Sequence, residues 1–146
     1  MKKLLFVLAV IASLFAAGCK KSYHLESYEN EWFLINIEQN GVNVSPYLMG
    51  VEATLTGEKV SSNTLKITGC SGINQYFGEI KFKGDKISVG DKMGSTKMAG
   101  APEVMEFEDL FLKGLTGADK IYLEATGEAV ILKIENTKDN ITLLFS

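Results

Sequence analysis

The chain has 146 residues, 46% of them hydrophobic and 10% aromatic, enough to bury one sizeable core and too apolar for a globally disordered protein. All 15 positive charges are Lys, set against 18 acidic residues for a net charge of −3. A chain with no Arg and no basic surplus is excluded as a nucleic-acid binder, because base and phosphate recognition leans on the Arg fork and nonspecific binding needs a basic surface.

Residues 1–18 have the three parts of a secretory signal: Lys2 and Lys3, an apolar run from Leu4 to Phe15, and the small residues Ala16, Ala17 and Gly18. The apolar run is too short to span a bilayer. Cys19 follows, and Ala16-Ala17-Gly18-Cys19 resembles the lipobox of bacterial lipoproteins, in which the thiol takes a diacylglyceryl group and cleavage leaves Cys as the first residue. The departure is Ala16, where Leu is preferred. The resemblance implies a signal peptide over 1–18 and a lipid on Cys19 that anchors the chain to a membrane, several acyl chains holding where one is marginal. An ordinary secreted protein cut at the same residues is the alternative. Lys20–Asn30 is polar and without period, so 19–30 is read as a lipidated tether whose eleven residues after the Cys reach roughly 35 Å. Lys20, in place of the Asp that retains enteric lipoproteins at the inner membrane, points to the outer membrane where that rule holds, with the body facing the periplasm or the surface.

The body is expected over 31–146. Glu31–Glu38 is rich in β-branched and aromatic residues, and Asn40-Gly41 turns it into Val42–Val44. Val51–Thr56 alternates, with Val51, Ala53 and Leu55 opposed to Glu52, Thr54 and Thr56, and Leu65–Thr68 does the same. Tyr76, Ile80 and Phe82 share a face, Gly84-Asp85 turns the chain, and Ile87–Val89 returns it. Lys120–Ala125, Ala129–Glu135 and Ile141–Phe145 complete the count. About eight short strands with one inserted helix predict a mainly β protein: an antiparallel sheet, strongly curled or closed into a barrel.

The helix lies in the stretch Ser95 to Leu115, over 102–115. Pro102 suits a first turn, Glu103 and Glu106 suit the positive end of the dipole, and Lys113 suits the other end, with Gly114 and Gly117 as stops. Val104, Phe107, Phe111 and Leu115 form one apolar stripe. Glu108 falls inside that stripe, so its carboxylate needs a partner. It is either a structural acceptor for backbone N–H groups or a strand Lys, or a functional acid.

Few residues offer chemistry. With Cys19 committed to the signal, Cys70 has no intramolecular partner and reads as a small buried hydrophobe or inert thiol. His24 and one Cys cannot supply a closed set of four metal ligands, and a His in a tether cannot hold the geometry of a general base. Gly90–Thr96 lacks the glycine spacing and the Lys of a phosphate loop and is read as a loop. Lys81, Lys83 and Lys86 are read as the wet side of a strand, and Met93, Met98 and Met105 as core.

Gly69-Cys70-Ser71-Gly72-Ile73-Asn74-Gln75-Tyr76-Phe77-Gly78, with Trp32 upstream and Ser95–Gly100 and Met105-Glu106-Phe107-Glu108 downstream, resembles the META domain family, also called HslJ-like after a heat-shock lipoprotein. The positions that carry the resemblance include Cys70, Asn74, Tyr76, Thr96, Met98 and Glu108. Ser71 departs from the Asn often found after the Cys, and Gly100 stands where some members have a second Cys. The resemblance implies a lipocalin-like barrel topology with one helix, presented on an envelope lipoprotein, with no cofactor and no established catalytic residues.

The resulting expectation is a lipid-anchored, non-enzymatic envelope protein that contributes to envelope integrity or stress tolerance by binding, with the membrane and an envelope protein as partners and no nucleic acid or metal. The alternatives are an inhibitor of a lysozyme-like hydrolase, a carrier of a small apolar ligand, or an enzyme pairing Glu108 with a second carboxylate.

Overall fold

The computed structural model describes residues 24–90 and 92–146, so the signal region, Cys19 and residues 20–23 lie outside it. Ten strands form one antiparallel sheet: β1 Glu31–Gln39, β2 Val42–Val44, β3 Thr54–Lys59, β4 Thr64–Cys70, β5 Gln75–Lys83, β6 Lys86–Val89, β7 Gly94–Ser95, β8 Lys120–Thr126, β9 Ala129–Asn136 and β10 Ile141–Phe145. The main path is β6-β5-β4-β3-β1-β10-β9-β8, and the short β2 and β7 flank β1 and β5. The eight strands of this path match the expected number, and the sheet curls until its ends nearly meet. There the Ile87 N–H donates to the Asp119 carbonyl at 3.0 Å, bringing the start of β6 to the start of β8.

Strand β1 joins the two halves of the sheet. Its first residues pair with β3 (Trp32 opposite Leu55), and its later ones pair with β2 and β10 (Ile37 opposite Val44 and Leu143). Its pairing with β10 carries an irregularity between Leu34 and Asn36, the local kink that lets one strand serve two directions of a curled sheet. Asn40 and Gly41 both take positive φ in the β1–β2 turn, the backbone that an Asn-Gly pair favours.

The single α-helix among the described residues, α1 (Pro102–Thr116), packs its stripe into the barrel. Phe107, Phe111 and Leu115 are buried, with the Phe111 ring 5.6 Å from Tyr76 of β5 and 6.2 Å from Phe145 of β10. Gly114 is not a stop: it lies inside the helix, where a Cβ would come within 2.8 Å of Ile141 and 3.0 Å of Leu143. The absent side chain lets the helix approach β10 closely. The helix ends at Gly117, which caps it through the Lys113 and Leu115 carbonyls.

Three further expectations are corrected. The tether does not extend to Asn30, because Leu25–Tyr28 forms a 3-10 turn that closes one end of the barrel. Residues i and i+3 of such a turn share a face, so Leu25 is fully buried while the Tyr28 ring lies 5.9 Å from Phe82, and the Trp32 indole N–H donates to the Tyr28 carbonyl at 3.2 Å. The third strand runs Thr54–Lys59 and not 51–56. Its inward position after Leu55 is Gly57, a residue that carries no apolar signal because the Tyr28 carbonyl occupies the space of a side chain. Within the expected loop 90–96, Gly94 and Ser95 form β7, opposite Phe77 and Tyr76.

Candidate functional site

The residues singled out in sequence converge on the turn between β4 and β5. Residues 71–74 leave β4, and Gly72 takes a φ of +131° with Glu108 Cγ only 3.1 Å from where its Cβ would be, so a side chain there would be strained and would push on the helix. The turn presents its donors to α1. Ser71 Oγ, Ile73 N–H and Asn74 N–H donate to Glu108 Oε1 at 2.9, 2.8 and 2.6 Å, and the Asn74 amide donates to Oε2 at 2.8 Å. Glu108 is 2% exposed. Burial by itself would raise its carboxyl, but the bonds from Asn74, Ile73 and Ser71 outweigh it and hold the group below its ordinary value of 4.5. Of the two readings of this residue, the geometry fits the acceptor of backbone N–H groups.

Asn74 relays the connection to the segment before the helix. Its Oδ1 accepts from Thr96 Oγ1 at 2.8 Å and from the Met98 N–H at 2.7 Å, while its amide also donates to the Met98 carbonyl at 3.1 Å. Thr96 adds a pair of bonds to Gln75, its N–H donating to the Gln75 carbonyl and its hydroxyl accepting from the Gln75 N–H. The turn, the 94–98 segment and the helix are thus tied through one buried amide. Met98 takes part through its backbone; its side chain is 56% exposed, which corrects its assignment to the core. Gly100 lies against the same turn, where a Cβ would collide with Ile73.

Tyr76 and Cys70 belong to a second group beneath the first. The Tyr76 hydroxyl donates to the Thr54 carbonyl at 2.6 Å, and the Cys70 N–H donates to Thr54 Oγ1 at 3.1 Å. Burial pushes the Tyr76 hydroxyl far above its ordinary value, so it acts as a fixed donor. Thr54 and Ser71 were not singled out in sequence. Thr54 falls on the expected wet face of its strand and Ser71 departs from the family pattern, yet both are buried and engaged. The Cys70 thiol is half-buried and donates to the Gly72 carbonyl at 3.4 Å. In a chain beginning at residue 20, maleimide should modify it slowly in the native state and to one full equivalent in denaturant; rapid native reaction would show an accessible thiolate.

Above Asn74 an open cleft of about 230 Å³ is lined by Thr96, Lys97, Met98, Met105, Asp109 and Leu112, among others. A second, of about 380 Å³, continues from it past Met93 to Thr116. Their charged groups are Lys97, the exposed Asp109 and the already engaged Glu108. No group of three His, Cys, Asp or Glu side chains among the described residues could hold a metal ion. The arrangement bonds three segments together, and of the two carboxylates that line the cleft Glu108 has both oxygens held by donors of the turn while Asp109 is exposed.

A protein from Burkholderia xenovorans, solved by NMR, is similar in structure with a TM-score of 0.63 and 24% identity over 89% of this chain and 92% of that one, a likeness that speaks for the fold. Among curated proteins none matches. The sequence model of the META domain matches residues 24–145, beginning where the barrel begins and taking in both hydrogen-bonded groups, and the chain belongs to the META domain family.

Proposed function

We propose that the protein is a lipid-anchored envelope protein whose META domain acts by binding, without catalysis, in support of envelope integrity or stress tolerance. The observation that carries the anchor is Ala16–Cys19, with the first described element, the Leu25–Tyr28 turn, only six residues later in sequence. The engagement of Glu108 on all sides supports a non-enzymatic role. Labelling cells with a fatty-acid analogue should mark the wild type and not Cys19→Ala; labelling that survives the substitution rejects the anchor.

Binding in preference to carriage is supported by the interior of the barrel, which is filled by Trp32, Tyr76, Phe107, Phe111 and Phe145. The 3-10 turn Pro46–Met49 presents Tyr47 and Leu48 at 87% and 84% exposure, the kind of projecting apolar pair that a protein partner covers, and this favours inhibition or scaffolding of an envelope protein over ligand carriage. Capture from envelope extract should be lost in Tyr47→Ser/Leu48→Ser if that turn is the contact.

A further inference from the structure

The first described element, the Leu25–Tyr28 turn, lies at an end of the barrel that it shares with the β3–β4 and β5–β6 hairpins. Tyr28 packs beside Phe82, Glu26 pairs with Lys59 at the end of β3, and the Phe82 N–H donates to the Asn63 carbonyl at 2.8 Å, so these segments form one surface. On it, Lys81, Lys83 and Lys86 are exposed, with Lys83 and Lys86 directly opposite one another in the ladder. Like charges so placed are unfavourable for the sheet, and none of the three is seen in an ion pair with a described residue. From Lys81 to Lys86 there are three Lys to one acid, Asp85, whereas residues 24–146 as a whole carry 11 Lys against 18 acidic residues. The neighbouring β3–β4 connection is uncharged and exposes Val60.

The consequence follows from the anchor and rests on the lipid-anchored reading above. Five steps of chain from Cys19 to His24 span at most about 18 Å, some two Debye lengths at physiological salt. That reach lets the body approach within a Debye length of a negatively charged leaflet, where an acidic body is repelled on most of its faces. The rotation of lowest energy turns its most basic segment, the β5–β6 hairpin, to the membrane, and that hairpin lies beside the Leu25–Tyr28 turn that follows the anchor in sequence. Lys20 and Lys21, beside the anchor in sequence, add charge of the same sign. We infer that the β5–β6 hairpin is a docking surface for anionic phospholipid headgroups, which fixes the orientation of the barrel on the bilayer and turns its acidic faces toward the aqueous side.

The test is lysine footprinting of the full mature chain in vesicles of phosphatidylcholine with and without phosphatidylglycerol. The chain carries its own lipid or, where intact mass shows Cys19 unmodified in cells, a phospholipid coupled to that thiol by maleimide, so failure of the anchor reading and failure of the docking reading are seen separately. Lys83 and Lys86 should be acetylated about fivefold more slowly on the anionic vesicles, while Lys113 and Lys133 are unchanged, and high salt should remove the difference. Lys83→Glu/Lys86→Glu should keep the wild-type unfolding midpoint and abolish the protection of Lys81. Equal rates on both vesicles, or slowing spread evenly over all lysines, overturns the proposal.

Discussion

Phe111→Ala is expected to lower the unfolding free energy by about 3–5 kcal/mol, a large part of the roughly 5–15 kcal/mol that holds a small domain together. The residue is fully buried between Tyr76 and Phe145, from strands that lie on opposite sides of β1 in the sheet order, so its ring fills space that both halves of the barrel share. Neither half can collapse into the void without parting from the other. Urea unfolding followed by the single tryptophan, Trp32, which is buried near the centre of the β1–β3 pairing, reads the change directly. Leu48→Ala, at a site 84% exposed, serves as the control and should move stability by less than about 0.5 kcal/mol. A Phe111→Ala protein with the wild-type midpoint would show that the helix is an ornament on the sheet and not part of its core.

The second large effect is expected at Glu108. In Glu108→Gln the side-chain oxygen can still serve Ser71, Ile73 and Asn74 N–H, but the new amide then faces the Asn74 amide, donor against donor. Asn74 cannot turn over to relieve this, because its own oxygen is held by Thr96 and the Met98 N–H. The loss should be about 2–4 kcal/mol, the range for breaking a buried charged group out of its bonds, and Glu108→Ala should cost more. A pH series separates this from generic damage. The folded carboxyl lies below its ordinary value of 4.5, so its contribution is complete above that pH and is lost as pH falls through the folded value. Wild-type stability should therefore drop on acidification more steeply than that of Glu108→Gln. If Glu108→Gln melts like the wild type but no longer captures its partner, the carboxylate is a binding group and the structural account of the site is wrong.

The parts of the molecule readable from sequence are those where one signal repeats. The helix was expected over 102–115 and runs Pro102–Thr116, because four apolar residues, a proline and a terminal glycine all agree; Ile141–Phe145 and Val42–Val44 have the expected bounds. The parts that were missed carry their signal in single residues or in none. Leu25 and Tyr28 are two apolar side chains in a polar stretch, too few to show a period. Gly57 and Gly114 do their packing by lacking a side chain, so hydrophobic patterning passes over the first and reads the second as a stop. At the site, Glu108 stood out because a carboxylate interrupts an apolar stripe, but Ser71 and Thr54 are small hydroxyl residues that look alike whether wet or buried. Their partners are brought by the fold, across 37 residues to Glu108 for Ser71 and 16 to Cys70 for Thr54.

The pairing of β1 with β10 has a consequence for the time at which the protein can exist at all. Leu34 lies opposite Phe145, and the Phe33 and Ser146 backbones exchange hydrogen bonds at 2.9 Å in both directions. One edge of the first strand is therefore unfilled until β10 has been made, and contacts of such long sequence separation form late and slowly. Until then the barrel cannot close, so a nascent chain of this topology stays open up to the synthesis of β10.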